Sequence, residues 1–163
     1  MDDAEFDQRE FRSAMGNFCT GVVVATGSVD GVPAGFSAQS FVSLSLDPPL
    51  VALCPAKTST SWPKMRASGS FCINVLAAEQ RSICDAMALP GGDKFTTFDW
   101  APGVSGSPVL NGVIAYIDCD LVAEHDGGDH TIAIGQVRDF QVLDRDKRPL
   151  LFYHGGYGSF AGE

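Results

Sequence analysis

The hydrophobic positions along the chain change period several times. Phe11, Met15 and Phe18 recur at helical spacing behind Asp7 and Glu10, which stand three residues apart in the form of a capping box. This predicts a helix of about 10 residues covering one end of the core. Thr20 to Thr26, with three consecutive valines, reads as a buried strand, and Val29-Asp30-Gly31 as a hairpin turn. Strands follow near Ala38–Ser45 and Leu50–Cys54. Between them Asp47-Pro48-Pro49 places the junction at an edge or corner, because proline donates nothing to a ladder. Ser61, a candidate N-cap, opens a short helix with Trp62-Pro63. A strand at Phe71–Leu76 and a helix at Ala78–Ala88, with Ile83 and Met87 on one face, end at Pro90-Gly91-Gly92-Asp93. Thr96 to Asn111 is loop-rich. Two longer strands, Val113–Glu124 and Thr131–Leu143, flank Asp126-Gly127-Gly128-Asp129. A last strand at Leu150–Tyr153 runs into the glycine-rich Gly155-Gly156-Tyr157-Gly158.

Strands outnumber helices and βαβ alternation is missing. The expectation is a mainly β fold: a closed or partly closed antiparallel barrel with covering helices, in one domain spanning residues 1–163. No Gly-x-Gly-x-x-Gly follows a strand and no Walker lysine motif occurs, so a nucleotide cofactor would sit outside those frames.

One stretch departs from core chemistry. Between Gly35 and Thr60, Ser37, Gln39, Ser40, Ser43 and Ser45 occupy positions where a core strand would carry Val or Ile. Hydroxyls, an amide and bare backbone suit a flat polar ligand laid against a sheet edge. Lys57, inside Thr58-Ser59-Thr60, offers one positive charge and several hydroxyl donors, the chemistry a phosphate needs.

Composition narrows the partners. Eleven basic against twenty acidic side chains give a net charge of -9, with no Lys/Arg cluster to replace counterions, which argues against nucleic acid. No apolar run reaches a membrane span, and the acidic Met1–Glu5 is unlike a signal peptide. Five cysteines without a Cys-x-x-Cys pair fit reduced thiols in the cytoplasm, and the three histidines show no zinc-ligand spacing with them.

The ordered blocks Phe11–Gly21, Gly35–Phe41, Leu44–Val51, Lys57–Trp62, Asp93-Lys94-Phe95 and Gly128-Asp129-His130 together resemble the short-chain flavin reductases, the reductase components of two-component flavin-dependent monooxygenases. The resemblance covers almost the whole chain and is nearest to reductases serving aromatic or steroid-ring hydroxylases. It implies an FMN-binding split β-barrel of Greek-key type, usually a homodimer. It also implies hydride transfer from NADH or NADPH to FMN or FAD, and delivery of reduced flavin to a separate monooxygenase.

By the same resemblance Gly35, Phe36, Ser37, Ala38, Gln39, Ser40, Phe41 and Cys54 would line the flavin. Lys57, Thr58, Ser59 and Thr60 would hold its phosphate, with Lys94 and Phe95 nearby. Phe95 would either reach the flavin or anchor its loop. His130 would serve the nicotinamide as a switchable donor, and Asp129 would either orient it or act only as a turn residue. His154, Gly155 and Tyr157 would close the nicotinamide side, with His154 standing where similar sequences often carry arginine. Two rival readings use the same barrel. One is a non-catalytic flavin- or haem-binding module, against which the His130 motif stands. The other is a pyridoxamine-phosphate-oxidase-like enzyme, disfavoured because the chain lacks an arginine cluster for a phosphorylated amine.

Overall fold

In the computed structural model, residues 7–162 are described; the acidic Met1–Glu5 segment lies outside them. The chain enters through α1 (Gln8–Met15), then β1 (Thr20–Gly21), β2 (Val23–Val29), β3 (Val32–Ala38), β4 (Val42–Leu46) and β5 (Pro49–Leu53). Next come α2 (Trp62–Ser68), β6 (Ser70–Val75), a 3₁₀ turn at Ala78–Gln80 and α3 (Arg81–Ala88). The small strands β7 (Trp100–Pro102) and β8 (Pro108–Leu110) precede the long pair β9 (Ala115–Gly127) and β10 (His130–Val142). A closing hairpin is made by β11 (Leu150–Tyr153) and β12 (Gly156–Ser159).

Seven strands form one antiparallel sheet in the order β3-β2-β6-β9-β10-β5-β4. Its end strands, β3 and β4, are not hydrogen-bonded to each other, yet the sheet is rolled. Ala34 of β3 shares a core with Val51 and Leu53 of β5, from the opposite end of the sheet, together with Phe71, Ile73, Cys119 and Ala133. The barrel is therefore partly closed, as a split barrel is. The helix α2 plugs it with Trp62 and Met65, both buried. A second core lies outside the barrel, where Val22 and Val24 meet Leu76, Cys84, Met87, Leu110 and Leu150. The valine run is thus continuous because both faces of β2 are covered.

The turn at Asp30-Gly31 puts both residues at positive φ, 52° and 78°, as a two-residue type I′ hairpin requires. Gly128-Asp129 makes another tight turn, so His130 pairs back onto Gly127. Asp47-Pro48-Pro49 joins β4 to β5 at the sheet's end, as its prolines imply.

Four expectations need correction. The helix α1 is capped by Asp7, whose side chain accepts from the Arg9 amide, but it covers no core: none of its residues is buried, and Phe11 and Met15 are exposed. The strand expected at Ala38–Ser45 is two strands. β3 stops at Ala38 and β4 starts at Val42, because Ser40 leaves the ladder; its hydroxyl accepts from Cys54 N (3.0 Å) and lies 3.2 Å from Cys54 O. Ser61 occupies the N-cap position of α2 without capping it. The Ser59 hydroxyl instead accepts from Trp62 N at 3.1 Å. Finally, Leu150–Tyr153 is not the last strand: the glycine-rich end that follows it forms β12, after a turn at His154-Gly155 with both residues at positive φ.

Candidate active site

A cavity of about 600 Å³ opens where the ends of β3 and β5, the last turn of α3 and the β11–β12 hairpin converge. One wall is Phe36, Ser37, Ala38, Gln39 and Ser40, the stretch that leaves the edge strand. Cys54, Ala56 and Thr58 to Ser61 also line it, Cys54 bonded to Ser40. Met87 to Pro90, Lys94, Phe152 and Tyr157 complete the side where α3 meets the last hairpin. His130 completes the lining.

The position of His130 is set by backbone. Thr131 N donates to Pro55 O and Lys57 N to Asp129 O, both at 2.9 Å, and Ala56 forms an isolated bridge with His130. These bonds stitch the tip of the β9–β10 hairpin to the segment that precedes Thr58. The imidazole Nδ1 donates to Asp129 Oδ1 at 2.7 Å, and that bond holds the Asp129 carboxyl below the usual carboxylate range. With Nδ1 engaged by Asp129, Nε2 is the ring's open nitrogen. Asp129 is a turn residue and also orients the ring.

The cation of the cavity is Lys94, not Lys57. Lys57 is absent from the lining, and its ammonium is paired with Asp126 on the hairpin surface. Lys94 Nζ donates to Gly35 O (3.2 Å) and Met87 O (3.0 Å), joining the polar strand to the end of α3. Partial burial, helped by the nearby Lys64 charge, lowers its pKa from the ordinary lysine value. Gly35 itself is packed: a Cβ there would sit 2.9 Å from Ala25 O and 3.2 Å from the Phe95 ring. It contributes a carbonyl to Lys94 rather than a wall.

Other predicted residues divide. Phe41, Gly35, Phe95, His154 and Gly155 lie off this cavity. Phe95 anchors its loop, buried against Phe98 and Trp100. His154 is stacked on Tyr153 and donates Nε2–H to Asn17 Oδ1 at 2.8 Å, tying the hairpin to the end of α1. Tyr157 does line the cavity. Its hydroxyl lies 3.4 Å from Cys84 Sγ, Arg81 sits 4.8 Å above its ring, and the bond to Cys84 pushes its pKa up to about 12.

Sequence reasoning missed Val22, Cys84, Phe152 and the Met87–Pro90 turn. Only the break at Pro90-Gly91-Gly92 hinted that a helix end could border a site. No group of three or more His, Cys, Asp or Glu side chains among the described residues is placed to hold a metal.

The donor set suits a flavin. Val22, Ala38, Met87 and Phe152 give apolar surface for a flat ring. Ser37, Gln39, Ser40, Thr58 and Thr60 offer hydroxyl and amide partners, and Lys94 offers the charge that a phosphate needs.

Residues 15–161 match the family described as "Flavin reductase like domain". The reductase subunit HsaB of a flavin-dependent monooxygenase from Rhodococcus jostii (strain RHA1) is 52% identical over 151 residues, covering 93% of this chain and 77% of that protein. Nitrilotriacetate monooxygenase component B from Mycobacterium thermoresistibile superposes with a TM-score of 0.91 at 46% identity, over 94% of this chain and 87% of that one. The Streptomyces globisporus NADH:FAD oxidoreductase SgcE6, in complex with NAD and FAD fragments, gives 0.91 at 35% identity over 96% and 94%.

Proposed function

This chain belongs to the flavin reductase-like domain family, and from that premise we propose that it is an NADH:flavin oxidoreductase whose cavity holds flavin beside His130. The observation that carries the reading is the convergence, in one cavity, of the polar Phe36–Ser40 wall, the Thr58–Thr60 hydroxyls and the His130 ring. The reduced flavin passes to a separate monooxygenase, as the naming of its relatives as reductase components supports. The aromatic or steroid ring suggested by sequence resemblance is the proposed substrate class of that oxygenase.

Bound flavin supplies the redox chemistry, accepting hydride from the nicotinamide nucleotide. The protein's own residues bind and orient. Thr58, Thr60 and Lys94 hold the phosphate end, and Ser37, Gln39 and Ser40 meet the polar edge of the ring system. Hydrogen-bond donors fixed there stabilise negative charge in place, at no reorganisation cost during the reaction. His130, held by Asp129, orients the nicotinamide, and alignment of two reactants is worth up to roughly 7–11 kcal/mol. Phe152, Tyr157 and the Met87–Pro90 turn exclude water from one side.

The same reading includes a homodimer in the cytoplasm. The exposed apolar face of α1, with Phe11 and Met15, supports the dimer, and five free cysteines support a reducing compartment. No helix among the described residues is long and apolar enough to cross a membrane.

Steady-state NADH oxidation with added FMN, FAD or riboflavin tests the reading. Saturable, flavin-dependent turnover is expected, and a protein that oxidises no NADH at any flavin concentration would overturn it.

A further inference from the structure

Lys94 stands in the stretch that joins the end of α3 at Ala88 to β7 at Trp100, which has no helix or strand of its own. Among the described residues no backbone–backbone hydrogen bond ties residues 90–98 to the rest of the fold. The bonds that Asp93 accepts stay inside the stretch: its Oδ1 takes Phe95 N at 3.2 Å, and its backbone O takes the Thr96 hydroxyl at 3.3 Å. Between Ala88 and Asp99 one side chain is buried, and it belongs to Phe95, the residue after Lys94. We propose that Phe95 is a positioning residue for Lys94, fixing the ammonium at the phosphate end of the cavity and so setting a preference for FMN over riboflavin.

The proposal rests on the flavin reading of the cavity and follows from what these two neighbouring side chains grip. A Cβ on Gly35 would lie 3.2 Å from Phe95 Cζ and 3.3 Å from Met87 Sδ, so the ring tip and the thioether meet over Gly35. Lys94 Nζ donates to the carbonyls of the same two residues, Gly35 at 3.2 Å and Met87 at 3.0 Å. Ring and ammonium, adjacent in sequence, therefore hold β3 and the last turn of α3 at one place. Phe98 and Trp100 pack on the Phe95 ring, their centroids 5.6 and 6.1 Å from it.

A lysine is a point charge on a flexible four-carbon stem, and an irregular loop does little to place it. Its ammonium has three donors. Two are committed to carbonyls here, and the anchored ring fixes the backbone from which the stem rises. The third donor then keeps one direction, and a phosphate meeting it has no side chain to order. Neither Phe95 nor Gly35 lines the cavity, so the path from Phe95 to a bound phosphate runs through Lys94.

Dissociation constants for FMN and riboflavin, read by flavin fluorescence on the full chain, test the proposal in a double-mutant cycle of Phe95→Leu and Lys94→Ala. Leucine keeps an apolar side chain in the core but does not reach Gly35 as the ring does. Phe95→Met, which also lacks the rigid ring, replaces it if Phe95→Leu does not fold, with the same pattern expected. The unaltered protein should bind FMN about tenfold or more tightly than riboflavin. Phe95→Leu should weaken FMN about fivefold and riboflavin less than about twofold, and in the Lys94→Ala background it should change neither by more than about twofold. Equal losses for the two flavins, an FMN affinity that does not change whatever the melting temperature does, or the same FMN loss repeated without Lys94 would each leave Phe95 a core residue only and overturn the proposal. No preference for FMN in the unaltered protein would overturn it too, because Lys94 would then meet no phosphate. Riboflavin has no phosphate, so failure to oxidise NADH with saturating riboflavin would strike the reductase reading alone, and the binding ratios would still decide the role of Phe95.

Discussion

Ala56 and His130 face each other across an isolated antiparallel bridge, 74 positions apart in the chain, and that bridge puts the imidazole on the wall that Thr58 and Thr60 also line. Neither the hairpin tip nor the segment after β5 makes a site alone. The bridge uses backbone atoms, so the His130 side chain can be removed without undoing it.

His130→Ala should therefore keep its melting temperature within about a degree or two and its flavin affinity within about twofold, while slowing flavin reduction at saturating NADH on the order of tenfold. Stopped-flow bleaching of bound flavin measures the rate. A sharp fall in melting temperature with an unchanged bleaching rate would make His130 part of the scaffold. Asp129→Asn should show a smaller loss of rate, because the amide oxygen can still accept from Nδ1 and hold the ring.

Lys94 and Lys57 should behave oppositely. Lys94→Ala removes the cavity's cation and both of its carbonyl bonds, and should weaken FMN binding by about 1–3 kcal/mol, the scale of a charge-assisted hydrogen bond. Lys57→Ala breaks an exposed pair with Asp126, which is worth about 0–1 kcal/mol to stability and does not line the cavity. Its FMN dissociation constant should change less than about twofold. If Lys57→Ala weakens FMN as much as Lys94→Ala does, the phosphate lies beside Lys57.

Gly135 sits at a bulge in β10, where a Cβ would stand 2.5 Å from the Phe71 ring and 2.9 Å from Cys119 Cβ. Phe71 is fully buried and cannot swing aside. Gly135→Ala should destabilise the fold by about 1–3 kcal/mol, read as a lower denaturation midpoint with an unchanged denaturant slope. A variant as stable as the parent would show that the core can relax there.

Burial raises the Cys119 thiol from its ordinary 9.0 to about 12, and pushes the Cys72 thiol up as well. Between those values the unfolded chain has lost these protons while the folded chain keeps them, so stability falls as pH rises. The contribution is complete below about pH 9, and it declines from there toward the folded value near 12. Urea denaturation between pH 8 and 10.5 should show this decline, and Cys119→Ala should flatten it. An equal slope in parent and variant would exclude Cys119 as a source.

What the sequence determined by itself is local. Asp30-Gly31 specifies a type I′ turn through two positive φ angles, and the prolines of Asp47-Pro48-Pro49 donate nothing to a ladder, so an edge junction was legible from those residues alone. The polar Phe36–Ser40 stretch announced a ligand wall because hydroxyls and an amide have no reason to replace valine in a core. Tertiary structure decided what depends on distant neighbours. Lys57 and Lys94 look equally able to meet a phosphate, but Asp126, 69 positions away from Lys57, draws one ammonium out to the surface. The carbonyls of Gly35 and Met87 hold the other at the cavity. The apolar stripe of α1 was legible as a stripe, but periodicity specifies a face and not what covers it, and within this chain that face stays exposed. Cys84, Phe152 and the Met87–Pro90 turn became a wall only when α3 and the last hairpin packed around β2, since an apolar side chain carries no local mark that says whether it borders a core or a cavity.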